Sequence, residues 1–278
     1  IRLGLVGSEM CIRDRDEGNS AKIKKINIIG NEIFTDEELL DSFELSEGSF
    51  FSFLSNNNQY SREKLVGDIE TLESYYRDRG YLKFSIESSQ ISLSRDKKSI
   101  FITFNVNEGK KYTINNVNII GEIPFEENIY INILENLKKE TYSQAQITSI
   151  EEFFVDVLGN RGYAFAEVKG DTETIDDSNQ VDLTFAVIPG KKTYTRKILF
   201  TGNHVTQDEV LRREMRQFEG AWSSNNSIEA GKVRLERLGY FKEVNVETLP
   251  VVGTEDQIDI VYSVEEETTG SVGAKLGL

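Results

Sequence analysis

Arg212, Arg213 and Arg216 lie within about one helical turn of one another, and Glu219 and Trp222 follow them. A guanidinium fork meets a carboxylate through two parallel hydrogen bonds, so such a cluster suits an interface with an acidic protein partner. A solvated helix face would carry the same charges.

Bond-making chemistry finds little support. His204 is the single histidine and Cys11 the single cysteine, so neither a His-based triad nor a His/Cys metal set can be assembled, and no intrachain disulfide can form. Acidic pairs are frequent only because the chain carries 47 Asp and Glu residues, and a glycosidase dyad read from them would be noise. No phosphate-cradling GxxxxGK loop occurs. The chain is expected not to be an enzyme and to need no cofactor or metal.

The elements that must position the arginines recur along the chain. Three apolar runs end in glycine: Ile26–Gly30, Val117–Gly121 and Ile198–Gly202. A second phrase follows each of them, Arg79-Gly80-Tyr81, Arg161-Gly162-Tyr163 and Leu238-Gly239-Tyr240. Two phrases in constant order, at a period of roughly 80–90 residues, mark a tandem array of modules. Before the second phrase the apolar groups fall at helical spacing, Leu65, Ile69, Leu72 and Tyr76 in one copy and Ile147, Ile150, Phe154 and Val157 in the next. The glycine then fits a left-handed helix end, and the aromatic after it is expected to open a strand.

The first module is expected to run strand (23–29), helix (from a capping box at Thr35 and Glu38 to Phe43), helix (62–79, capped by Ser61), strand (81–93) and strand (100–106). The second repeats this order over 113–189, with helices at 126–138 and 144–160 and strands at 163–168 and 181–188, and the third runs over 193–267. A small three-stranded mixed sheet with two helices on one face buries all of these stripes, which makes the fold class α+β. No Gly/Ser-rich linker separates the modules, so neighbours are expected to abut with limited bending. Phe50, Phe51 and Phe53 form an insertion peculiar to the first module, expected to pack locally rather than serve as a contact surface.

The 278 residues carry a net charge of −15, with the middle module the most acidic. A nucleic-acid binder normally shows a basic footprint, so no nucleic-acid partner is expected. No run is long enough for a membrane-spanning helix. Residues 1–20 fit no repeat, and Glu9 to Arg15 read as translated adapter sequence joined to a gene fragment. They are expected to be disordered or incidental. At the other end, Val272, Ala274, Leu276 and Leu278 alternate with small or polar residues, as a first transmembrane barrel strand would, although a frayed end fits the same pattern.

The array resembles the periplasmic POTRA domains of the outer-membrane protein assembly factors. The likeness is densest at Gly67–Tyr81 and Val210–Trp222, and Asp256–Tyr262 and Thr269-Gly270-Ser271 also fit; the second module matches mainly at its strand ends and at Gly162-Tyr163-Ala164. The resemblance implies the last three of that family's five POTRA domains, with 21–109 as the third, 110–190 as the fourth and 191–267 as the fifth, and 268–278 as the start of the barrel. It implies a segment in the periplasm of an outer-membrane protein, whose partners are unfolded outer-membrane clients and accessory lipoproteins, BamD-like ones among them, and whose missing barrel meets the membrane. Arg212, Arg213, Arg216, Glu219 and Trp222 would then form the lipoprotein-docking surface, with Arg213 and Glu219 at the interface. Clients would be taken by β-augmentation at the edge strand of the first module, Ser85, Ile86, Glu87, Ser88, Ser89, Gln90 and Ile91. Lys83 and Glu87 could blunt that edge. A TamA-like translocation and assembly protein is the alternative, against which the close match of the third module argues.

Overall fold

The computed structural model describes residues 21–45 and 60–267. The phenylalanines at 50, 51 and 53, the leading residues and the alternating tail lie outside the described residues.

The first module comprises β1 (Lys22–Ile29), α1 (Asp36–Leu40), α2 (Arg62–Arg77), β2 (Ser85–Leu93) and β3 (Ser99–Asn107). The last strand is central: the order is β1-β3-β2, with β1 parallel and β2 antiparallel to β3. Alternation along β3 turns Ile100, Ile102, Phe104 and Val106 into the core, where they meet Leu65, Leu72 and Tyr76 from α2. Tyr76 stacks on Phe84 with ring centroids 4.0 Å apart. Each such side chain, fully buried, contributes about 1.5–3 kcal/mol, and together they hold the helices on one face of the sheet.

The same plan is repeated beyond residue 111. The second module has β4 (Thr113–Gly121), α3 (Ile131–Leu137) after a short 3₁₀ turn, α4 (Gln144–Gly159), β5 (Glu167–Ile175) and β6 (Gln180–Ile188). The third has β7 (Tyr194–Thr201), α5 (Asp208–Glu214), α6 (Asn225–Arg237), β8 (Phe241–Pro250) and β9 (Gln257–Glu266). Their sheets run β4-β6-β5 and β7-β9-β8. Each module is therefore a three-stranded mixed sheet with helices, as the sequence pattern requires.

The recurring glycines have a steric reason. At Gly30, Gly121 and Gly202 the backbone takes φ of +97°, +102° and +86°. A Cβ there would lie 2.3, 2.1 and 2.0 Å from the carbonyl oxygens of Val106, Val187 and Val264 on the central strand. No side chain fits, so the first strand of each module ends in glycine.

Three local expectations differ from what is observed. Tyr81 and Tyr163 do not open strands: Phe84 N–H donates to Tyr81 O, and Ala166 N–H to Tyr163 O, so a turn intervenes and the strands start at Ser85 and Glu167. Tyr81 is spent on packing against Tyr76 instead. Thr35 and Glu38 do form the capping box, but Ser61 gives α2 no side-chain cap because its hydroxyl turns to the Glu63 carboxylate. Finally, α1 stops at Leu40 rather than Phe43, and the expected helix over 126–138 is broken into the 3₁₀ turn and α3.

Candidate interaction surfaces

With the third strand central, the first and second strands of every module are edges. An edge strand leaves backbone groups to be satisfied by something, and the modules satisfy them differently.

The first-strand edges of the second and third modules are covered over part of their length, β4 at Ile114 and β7 at Thr195 and Ile198. Along β4, Ile114 N–H donates to Glu140 O at 2.9 Å and Ile114 O accepts from Lys139 N–H at 2.7 Å. Along β7, Thr195 N–H donates to Ala221 O and Thr195 O accepts from Gly220 N–H. Two of the predicted recognition residues extend the cover of β7 to Ile198. Glu219 Oε1 accepts the Ile198 N–H at 2.8 Å, and Arg212 Nη2 donates to Ile198 O at 2.9 Å. Arg212 also meets Asp208 and Glu219 and lies over the Phe200 ring. Both side chains therefore face their own sheet.

Trp222 likewise has an architectural setting. Its ring stacks on Tyr194 at 3.7 Å under the Lys192 ammonium, and its backbone bridges to Tyr194. Buried Gln217 holds the turn around it, donating to Trp222 O and accepting from Ser224 N–H. Arg213 is the different one. Its side chain is 75% exposed, with Glu214 at 3.8 Å as its ion-pair partner, and it stands on the rim of a cleft of about 1140 Å³. Val205 and Tyr240, 88% and 48% exposed, line that cleft. Arg216 is exposed and donates to Met215 O. The structure thus splits the predicted cluster: Arg212, Glu219 and Trp222 build the sheet edge, while Arg213 and Arg216 point outward.

His204 sits in the turn after β7, as its neighbours suggest. Glu266 accepts from the backbone N–H groups of His204, Val205 and Thr206, and these bonds hold its carboxyl below the usual range. Glu108 plays the same part in the first module, accepting from Glu32 N–H, Ile33 N–H and Tyr76 O–H. Burial and that bond push the Tyr76 phenol above its ordinary value. In the second module Pro189 stands at the corresponding place, two residues past the strand residue that covers the glycine. No group of three or more His, Cys, Asp or Glu residues placed for a metal occurs among the described residues.

The second-strand edges are the exposed ones, and they are unequal. On β5, the Gly170 N–H is taken by the Glu151 carboxylate of α4, and Ile147 fills the space beside that glycine. On β8, Lys242, Glu243 and Glu247 are exposed and Pro250 supplies no N–H. On β2, which contains Ser85, Ile86, Glu87, Ser88, Ser89, Gln90 and Ile91, the sole charge is Glu87. Ile91 and Leu93 remain 45% and 52% exposed although they pair with Ile102 and Ile100 of the core face. The predicted edge strand is thus the least protected of the three.

A chain of repeated β-α-α-β-β modules, each a three-stranded mixed sheet with its last strand central, defines a tandem array of one small α+β domain. The chain belongs to the POTRA family: that family's model, described as a surface antigen variable number repeat, matches residues 21–109, 112–190 and 193–267. Among curated proteins it is similar to the outer membrane protein assembly factor BamA of Neisseria meningitidis, at 33% identity over 94% of this chain and 33% of that protein. It is equally similar to BamA of Buchnera aphidicola, with 33% identity over 94% of this chain and 42% of that protein. The chain spans less than half the length of either. The crystal structure of Haemophilus influenzae BamA POTRA3-5 superposes with a TM-score of 0.78 at 30% identity, covering 89% of this chain and 97% of that one. No helix among the described residues is long and apolar enough to cross a membrane, which leaves strand-built spans unaddressed.

Proposed function

We propose that this chain is the periplasmic arm of an outer-membrane protein assembly factor, with its modules as the third, fourth and fifth POTRA domains. It receives unfolded outer-membrane proteins as an added strand on β2 and docks a BamD-like accessory lipoprotein at the cleft beside Arg213. The observation that carries the client reading is the contrast among edges: β4 is covered at Ile114 and β7 at Thr195 and Ile198, β5 is partly occupied, and among the described residues nothing is seen paired on the outer side of β2, where Ile91 and Leu93 stay exposed. Main-chain pairing along such an edge accepts clients of many sequences, and the apolar pair favours the alternating side chains of a barrel strand. Arg213 beside exposed Val205 and Tyr240 offers the mixture of charge and apolar area that protein interfaces use.

Photocrosslinkers at Ser89 and Ile91 should trap a nascent outer-membrane protein, while one at Leu199 beside the covered part of the β7 edge should not. Equal trapping at all three sites, or none at Ser89 and Ile91, would sink the client reading. The scaffold role calls on no bond-making step.

A further inference from the structure

The second and third modules meet at a joint whose chemistry is unlike a linker. The last turn of α4 abuts the first turn of α6. Asn160, the residue at the C-terminal end of α4, turns its Oδ1 toward the next module, accepting from Asn226 N–H at 2.7 Å and from Ser224 Oγ–H at 3.2 Å. The first N–H groups of a helix have no partner within it, and Ser224 satisfies only that of Ser227. The N-terminus of α6 is thus capped from both sides of the module boundary. Asn160 Nδ2 is in turn fixed by Asp156 Oδ2 at 3.0 Å, and Asp156 Oδ1 reaches Asn225.

Gly159, one residue earlier, leaves the space that the Asn225 side chain occupies. It is buried within α4, and a Cβ on it would lie 2.2, 2.5 and 2.7 Å from the Nδ2, Cγ and Oδ1 atoms of Asn225. All three nearest atoms belong to the neighbouring module. Below this contact lies a buried hydrogen-bonded layer. Thr193 donates from both N and Oγ1 to Gly162 O, at 2.8 and 3.0 Å, its hydroxyl meets Ser223 Oγ at 2.9 Å, and its carbonyl accepts from Ser223 N–H. Apolar packing crosses too, since Ala164 of the second module lies against the core of the third. Residues 112–267 belong to one compact unit.

We propose that residues 112–267 are one cooperative folding unit rather than two, keyed at Gly159 and Asn160, so that the third module borrows part of its α6 cap from the second. The cleft beside Arg213 is then held in a fixed relation to α4. In the whole chain, hydrogen exchange measured by mass spectrometry in rising urea reads the opening of β6 and β9 separately. With the joint intact, the two strands should share one opening reaction with one urea dependence. Gly159→Leu is favourable for α4 on helix propensity alone, so the sign of its effect is diagnostic. It should lower protection in β9 and the first turn of α6 by at least about tenfold, leaving β3 of the first module unchanged. Asn160→Ala should lower the same amides by about five- to tenfold, the loss expected for one missing cap. The asparagine variant carries the decision if the leucine variant does not fold. Separate openings of β6 and β9 in the unaltered chain, or variants whose β9 protection is unchanged or raised, would overturn the proposal.

Discussion

Arg212 and Arg213 are adjacent, carry the same charge and do opposite things. Arg212 is committed to Ile198 O, Asp208 and Glu219, so its replacement uncovers a strand edge. Arg213 is spent mainly on solvent, and Arg213→Glu should change unfolding free energy by less than about 0.5 kcal/mol while weakening capture of a BamD-like lipoprotein in a pull-down. Glu219→Ala should instead cost about 1–3 kcal/mol, because the Ile198 N–H loses its acceptor; urea titration distinguishes the two. A lipoprotein loss at Glu219 is therefore to be read against stability, whereas a loss at Arg213 is not. Glu266 gives this scale its pH dependence. Its folded pKa is depressed by backbone N–H donors, so the stability it contributes is present above the unfolded value near 4.5 and is lost as pH falls through the lowered folded value. Glu266→Gln should flatten that acid limb in denaturation curves of the whole chain taken from pH 6 down to about pH 3. A variant as acid-sensitive as the parent would remove the carboxylate from the account.

At the scale of elements, the first strand of each module is fixed less by its own apolar residues than by the glycine that ends it. Gly202→Ala would place a methyl 2.0 Å from Val264 O at a φ of +86°, a combination that should cost at least about 1–3 kcal/mol. A thermal midpoint within error of the parent would show that β7 can end otherwise. This glycine was legible in the sequence because the same backbone crowding recurs in three copies and leaves the same residue each time. Helix faces were legible for a similar reason: Leu65, Leu72 and Tyr76 repeat at the period of a helix, and all three are buried. The start of the following strand is not legible where an aromatic, Tyr81 or Tyr163, reads equally well as strand and as packing; only the turn to Phe84 or Ala166 decides between them. The recognition cluster was legible as charge but not as geometry. Nothing in the spacing of Arg212 and Glu219 reveals that both converge on Ile198, which lies 14 and 21 residues away in sequence. Gln217, Thr193 and Asn160 are not legible in the sequence, because a single polar residue leaves no periodic trace and its partner is set by tertiary approach.

At the scale of the molecule, the three sheets share one strand order and differ in what covers their edges. If the open edge alone decides where a client strand is added, client capture should follow the edge and not the module. Closing β2 with Ile91→Lys removes one protruding apolar side chain and adds the charge that natural sheets use to discourage pairing, at a site exposed enough that stability should shift by no more than about 0.5 kcal/mol. Opening β5 with Glu151→Ala frees the Gly170 N–H that the carboxylate now occupies. The first change should reduce client crosslinking at Ser89, and the second should introduce it at Asp171, the next residue along the freed stretch of β5. In the double variant the trapped client should therefore move from the first module to the second. Ile147 still crowds Gly170, so the gain at β5 should be smaller than the loss at β2. Client that stays on the first module in the double variant would mean that a feature other than edge exposure, such as the segment preceding α2, selects the site.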